Sequence, residues 1–95
     1  MIGCFLAEKL VGIIGVKNNN NHLIIRHISV LEEFQQTGIR TRLINYVIDH
    51  FKPNKILAET DKDPLNFYVK LGFNYKAIKN KYNKNRYQCE LQLLI

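Results

Sequence analysis

Apolar positions in this 95-residue chain fall into short extended runs and two stretches of helical period, and their order predicts the fold. Residues 4–10 and 11–16 are apolar and rich in β-branched side chains, which reads as a hairpin. The tract Lys17-Asn18-Asn19-Asn20-Asn21 suits a connection and reads as a loop. Residues 22–31 are the longest strand candidate, nearly continuous in apolar side chains as a central strand buried on both faces would be. Helix follows, because Ile39, Leu43, Val47 and Phe51 fall four apart with Ile44 and Ile48 beside them, in a stripe that ends before Pro53. Residues 55–60 form a second central strand. Asp63-Pro64 then opens another helix, with a capping carboxylate and proline at the first helical position. Leu65, Tyr68 and Leu71 share one face of it, Gly72 closes it, and residues 73–78 and 87–94 supply two closing strands.

Strand, strand, strand, helix, strand, helix, strand, strand is the order of an α/β domain with a mixed sheet. The crossover between residues 23 and 60 should set the two central strands parallel, with a right-handed connection. A chain this short holds one modest core, so residues 1–95 are expected to be a single domain. Apolar residues at 46% and charged residues at 23% exclude disorder of the chain as a whole. No apolar run reaches spanning length, and residues 1–6 lack the basic start and cleavage site of a secretory signal, so no membrane partner and a cytoplasmic location are expected. Cys4 and Cys89 are too few for a disulfide framework and read as buried free thiols.

A net charge of +6 calls for an anionic partner or for none at all. The basic side chains concentrate at Lys70, Lys76, Lys79, Lys81, Lys84 and Arg86, with Arg40 and Arg42 as a second group. Tyr75, Tyr82 and Tyr87 lie among the first group, yet no helix-turn-helix, zinc or RNA-binding signature accompanies them, so a nucleic-acid domain is the minor reading. A small phosphorylated ligand fits better. Residues 35–44, Gln-Gln-Thr-Gly-Ile-Arg-Thr-Arg-Leu-Ile, carry the chain from strand to helix through a polar turn. There the first-turn N–H groups have no internal partner and the helix dipole is positive, so a phosphate is well received. Gly38 permits close approach of a ligand, and Thr37 could cap the helix. The same residues also fit an ordinary strand-to-helix turn.

Residues 30–44 resemble the acyl-CoA loop of the GNAT superfamily of N-acetyltransferases: valine at a strand end, then Arg or Gln, which the spacing puts at Gln35, two variable residues, and Gly38. Residues 59–73 resemble the second signature of that family, which ends in Tyr-x-Lys-x-Gly-Phe, here Tyr68 to Phe73. The resemblance spans nearly the whole chain. It implies a mixed, mainly antiparallel sheet whose two central parallel strands splay apart at the acyl-CoA site, with two main helices. The first strand and two leading helices usual in the family are not matched. That predicts an open acceptor cleft, or a sheet edge masked by a second copy in a homodimer.

By the same resemblance, Ser29, Val30, Gln35, Gln36, Thr37, Gly38, Ile39, Arg40 and Thr41 hold acetyl-CoA, the backbone of Val30 pairing with the pantetheine and residues 35–41 wrapping the pyrophosphate. Tyr68 would protonate the departing thiolate as a general acid. A tyrosine on an apolar helix face can equally be a core residue. The base that takes a proton from the amine acceptor is sought in Glu59 or His27, either of which also reads as a strand-edge polar side chain. Positions 24 and 26, where the family often has Glu or His, hold Ile24 and Arg26, and His27 lies off that parity unless a bulge intervenes. A strand-end N–H, such as that of Val30, would stabilise the oxyanion. Two further departures are Arg40 in place of a second small residue and Asp61 where asparagine is common. No metal is expected, since His22, His27 and His50 lack zinc-site spacing. The implied function is transfer of an acetyl group from acetyl-CoA to an amine, the alternative being an acyl-CoA-binding module or sensor without catalysis.

Overall fold

The structure, a computed structural model, describes residues 1–6, 8–79 and 85–93. Lys81, Tyr82 and Lys84 of the basic loop, and Leu94 at the expected end of the last strand, lie outside the described residues. Six strands, β1 (Ile2–Leu6), β2 (Lys9–Asn19), β3 (His22–Val30), β4 (Lys55–Thr60), β5 (Asn74–Lys79) and β6 (Asn85–Gln92), form one sheet in the order β1-β2-β3-β4-β6-β5. Helix α1 (Ile39–Phe51) joins β3 to β4, and α2 (Lys62–Lys70) follows β4. β3 and β4 are parallel and every other pair is antiparallel. The expected mixed sheet with two main helices is therefore what the chain forms.

Both connections of the first two hairpins differ from expectation. The break between residues 10 and 11 is absent: Leu10 and Val11 lie inside β2, and the chain reverses earlier, with Glu8 at φ 68°. Neither Leu10 nor Val11 is a turn former, so nothing in that dipeptide interrupts the strand. The asparagine tract is mostly strand as well. Only Asn20 and Asn21 turn, at φ 52° and 65°, between the paired Asn19 and His22. Two positive φ values are what a two-residue hairpin needs to match the twist of its strands, and asparagine tolerates them.

The core lies on one face of the sheet. Leu23, Ile25 and Val30 of β3, Ile56, Ala58 and Thr60 of β4, and Cys89 of β6 are buried. A Cβ placed on Gly12 would meet Ile39 at 3.0 Å and Leu43 at 3.3 Å, so α1 presses directly on β2 and side-chain bulk is missing where the two meet. β3 is thus not buried on both faces, because Arg26, His27 and Ser29 are exposed. Helices cover one face only: Ile28 packs against the core on that face, and Ile24 is half-buried on the other.

The α2 terminus places a functional candidate. Gly72 lies at φ 99°, its N–H donates to the Val69 carbonyl at 3.0 Å, and the Phe73 N–H donates to the Tyr68 carbonyl at 3.1 Å. This left-handed C-terminal motif binds the backbone of Tyr68 to the start of β5. A Cβ at Gly72 would make only ordinary contact, 3.7 Å from Leu91, so the cost of Gly72→Ala is backbone strain. The variant should lose about 1 kcal/mol of stability in urea denaturation.

Candidate active site

β3 and β4 pair from His22↔Lys55 to Ile25↔Ala58 and no further. Beyond that point the strands part, and the gap holds a cavity of about 210 Å³ walled by residues 25–28 of β3, Glu59 and Thr60 of β4, Asp61, Arg40 of α1, Pro64, Phe67 and Tyr68 of α2, and Arg86 of β6. Next to it, a groove of about 400 Å³ runs between the β3–α1 loop and α2. Arg40 and Phe67 line both spaces.

Backbone geometry opens the edge of β3 onto this gap. Leu31 N–H donates to the Val11 carbonyl at 2.9 Å. Alternation along an antiparallel ladder then turns the N–H and C=O of Val30 and Ile28 away from β2, toward the space that β4 has left. The Val30 carbonyl accepts from Gln35 Nε2 at 3.2 Å, while its N–H faces the gap. Ser29 has the opposite phase: it pairs with Ile13 and its side chain lies apart from both cavities.

The loop brings together part of the expected set. Val30, Gln35, Gln36, Gly38, Arg40 and Thr41 line the groove. Ile39 does not, since its side chain is buried in the core. Thr37 does not cap α1. The residue before the helix is Gly38, at φ 85°, and the Thr37 hydroxyl is turned back toward the 3₁₀ turn Glu32–Phe34, where it donates to the Phe34 carbonyl. The first helical bond runs from Arg42 N–H to the Gly38 carbonyl at 3.0 Å, which leaves the amides of Ile39, Arg40 and Thr41 outside the helix ladder. A Cβ added to Gly38 would meet nothing within 4 Å, so the backbone there is open to a ligand, and α1 has no acidic residue in its first turn. These features suit a pyrophosphate.

Tyr68 is 4% exposed, lies on the cleft wall, and packs edge-on against Phe67 and Phe73, each ring centre 5.2 Å away. Burial pushes its phenol above the usual value; Cys89 adds to the rise and the Arg40 guanidinium opposes it. Glu59 and His27 reach the same cleft from opposite walls. β3 carries an irregularity here: Gly15 pairs with His27 but Val16 with Ile25, so Arg26 is an extra residue opposite a shorter β2. This bulge shifts the strand parity, which brings His27 as well as Arg26 to the cleft.

Arg86 is the residue that sequence reasoning missed. Its Nε donates to Glu59 Oε1 at 3.2 Å and its Nη1 to Asp61 Oδ1 at 2.7 Å. Burial works against the guanidinium's charge, but the bonds to Asp61 and Glu59 outweigh it and strengthen its hold on the proton. This pairing also corrects the start of α2. The residue before the helix is Asp61, the helix begins at Lys62 rather than at Asp63-Pro64, and no side chain caps it. The Asp61 carboxylate is held by Arg86, and Pro64 sits within the first turn, where a missing N–H costs nothing. Phe67, Asp63, Asn66 and Lys70 also line the sites without having been foreseen; their spacing of three and four along α2 was the available signal.

The chain belongs to the GNAT acetyltransferase family, whose acetyltransferase (GNAT) domain model matches residues 1–88. It is 26% identical over 89 residues to an uncharacterized N-acetyltransferase of Staphylococcus epidermidis, an alignment that covers 82% of this chain and 60% of that protein. The chain thus spans less than two thirds of that relative's length. An aminoglycoside 6'-N-acetyltransferase complexed with coenzyme A shares the fold, with a TM-score of 0.86 at 18% identity over 98% of this chain and 72% of that one. Ard1 from Thermoplasma volcanium superposes with a TM-score of 0.81 at 21% identity, covering 94% and 67% of the two chains.

Proposed function

We propose that residues 1–95 act as one acetyltransferase domain that moves an acetyl group from acetyl-CoA to an amine by direct attack in a ternary complex, without a metal. One observation carries the reading: Tyr68 lies in the gap where β3 and β4 part, and that gap continues into the groove lined by the Gly38 loop. In this reading the free amides of Ile39, Arg40 and Thr41 hold the pyrophosphate, and the exposed edge of β3 at Ile28 and Val30 pairs with the pantetheine. Acetyl-CoA supplies the thioester carbonyl. The Val30 N–H, directed into the gap, steadies the oxygen as negative charge develops on it. Glu59 or His27 takes a proton from the incoming ammonium, directly or through water, so that the neutral amine can form the C–N bond, and the second proton then on nitrogen passes to water as the tetrahedral intermediate collapses to the amide. When the C–S bond breaks, Tyr68 gives its proton to the departing thiolate and regains one from solvent.

The test is a thiol-release assay with acetyl-CoA across amines, polyamines, amino acids and lysine peptides. Turnover on at least one acceptor supports the enzyme. Binding without turnover on any acceptor makes the chain an acyl-CoA-binding module instead. Both readings require that coenzyme A stabilise the fold: at about 100 times its Kd the ligand should add roughly 2.7 kcal/mol, seen as a rise in Tm. No shift with acetyl-CoA, other acyl-CoAs or free coenzyme A would overturn both.

A further inference from the structure

The cleft has more cation than its own acids neutralise. Arg26, Arg40 and Arg86 line it, against the carboxylates of Glu59 and Asp61. Both carboxylates are on Arg86, at 3.2 and 2.7 Å. Among the described residues, Arg26 and Arg40 have no carboxylate within ion-pair distance.

The two are held differently. The Arg40 guanidinium lies over the Phe67 ring, 5.0 Å from its centre. A guanidinium held over a ring face keeps N–H donors on its other sides for an anion. Arg40 stands where the coenzyme groove meets the cleft. Arg26 is the extra residue of the β3 bulge and lines both the cleft and a shallow groove of about 530 Å³ on the uncovered face of the sheet, beside Leu57, Glu59 and Gln88. One cation therefore faces the coenzyme side and one the open side of the same gap.

We propose that this cleft selects a substrate bearing a carboxylate, bound by Arg40 on the coenzyme side or by Arg26 on the open side. The inference rests on the transfer reading of the cleft, and two substrates could supply the group. An acyl chain ending in a carboxylate, as in malonyl- or succinyl-CoA, would bring it from the groove to Arg40. An acceptor whose amine sits beside a carboxylate, as in an α-amino acid, would bring it from the open face to Arg26.

Calorimetric titration separates the sources. One arm compares acetyl-, malonyl- and succinyl-CoA; the other, with coenzyme A present, compares phenylalanine with phenethylamine and lysine with cadaverine. The carboxylate-bearing member should bind about tenfold tighter or better in one arm, the size of one charge-assisted pairing. That ratio should collapse in Arg40→Gln if the acyl arm responds, or in Arg26→Gln if the acceptor arm does, and should survive in the matching lysine variant. Equal affinity in both arms, or a ratio that neither glutamine variant changes, overturns the proposal. Thiol release is read separately: a carboxylate preference in binding with no turnover on these pairs or on any acceptor of the wider assay keeps the carboxylate site and removes the transfer reading.

Discussion

Tyr68→Phe should lower kcat by about 10²- to 10³-fold while the KM for acetyl-CoA stays within a few-fold, because a positioned general acid contributes on that scale. The ring is fixed by Phe67 and Phe73, and the Gly72 motif holds its backbone, so phenylalanine keeps the packing and removes only the hydroxyl. Stability should change by about 1 kcal/mol or less. The sign of the pH dependence follows from burial, which raises the phenol above its ordinary value of 10.0. A general acid must hold its proton. Tyr68 stays protonated to a higher pH than a free phenol would, so it produces no loss of rate between about pH 6 and 10. The wild-type profile should rise as the acceptor amine or the base deprotonates, and the variant should keep that limb with a lower plateau. An unchanged kcat would remove Tyr68 from the mechanism, and a loss confined to KM would make it a binding residue.

The parts of the fold that the sequence disclosed are those written in local pattern. The stripe from Ile39 to Phe51 and the break at Pro53 gave α1 its observed bounds, and Gly72 closed α2 where a left-handed residue is required. Gln35, Gly38 and Thr41 fell in the groove because the strand-to-helix turn is itself a local feature. What stayed hidden depends on partners distant in sequence. Asp61 stands in the sequence only as a departure from the family's asparagine, and its partner Arg86, which holds its carboxylate, lies 25 positions later. Arg86 was noticed only as charge in a basic loop. The face that His27 takes hangs on a bulge, which leaves no mark in the strand that carries it; the mismatch exists only between β2 and β3. Thr37 does not cap for a nearer reason: the residue adjoining α1 is Gly38, and the Thr37 hydroxyl is turned back to donate to the Phe34 carbonyl three residues earlier, an alternative that a cap preference does not reveal.

Ile56→Ala is expected to have the largest effect on stability, about 2–5 kcal/mol. Ile56 is fully buried in β4, paired with Leu23 of β3 on one side and Leu91 of β6 on the other. Leu23 is likewise fully buried, and Ala58, the last residue paired before the strands part, already contributes little bulk above it. A second alanine on the same row would leave a void that neighbours on fixed strands cannot fill. Small domains are typically stable by about 5–15 kcal/mol, so the variant could lose much of its margin. Ile56→Val, which removes one methylene, should cost only about 0.5–1.5 kcal/mol. Urea midpoints at unchanged slope measure both. Loss in Ile56→Ala should also be offset by saturating coenzyme A, by roughly 2.7 kcal/mol at 100 times Kd, since the ligand binds only the folded gap. A cost below about 1 kcal/mol would mean that the β3–β4 pair is not the packed hinge from which the cleft opens.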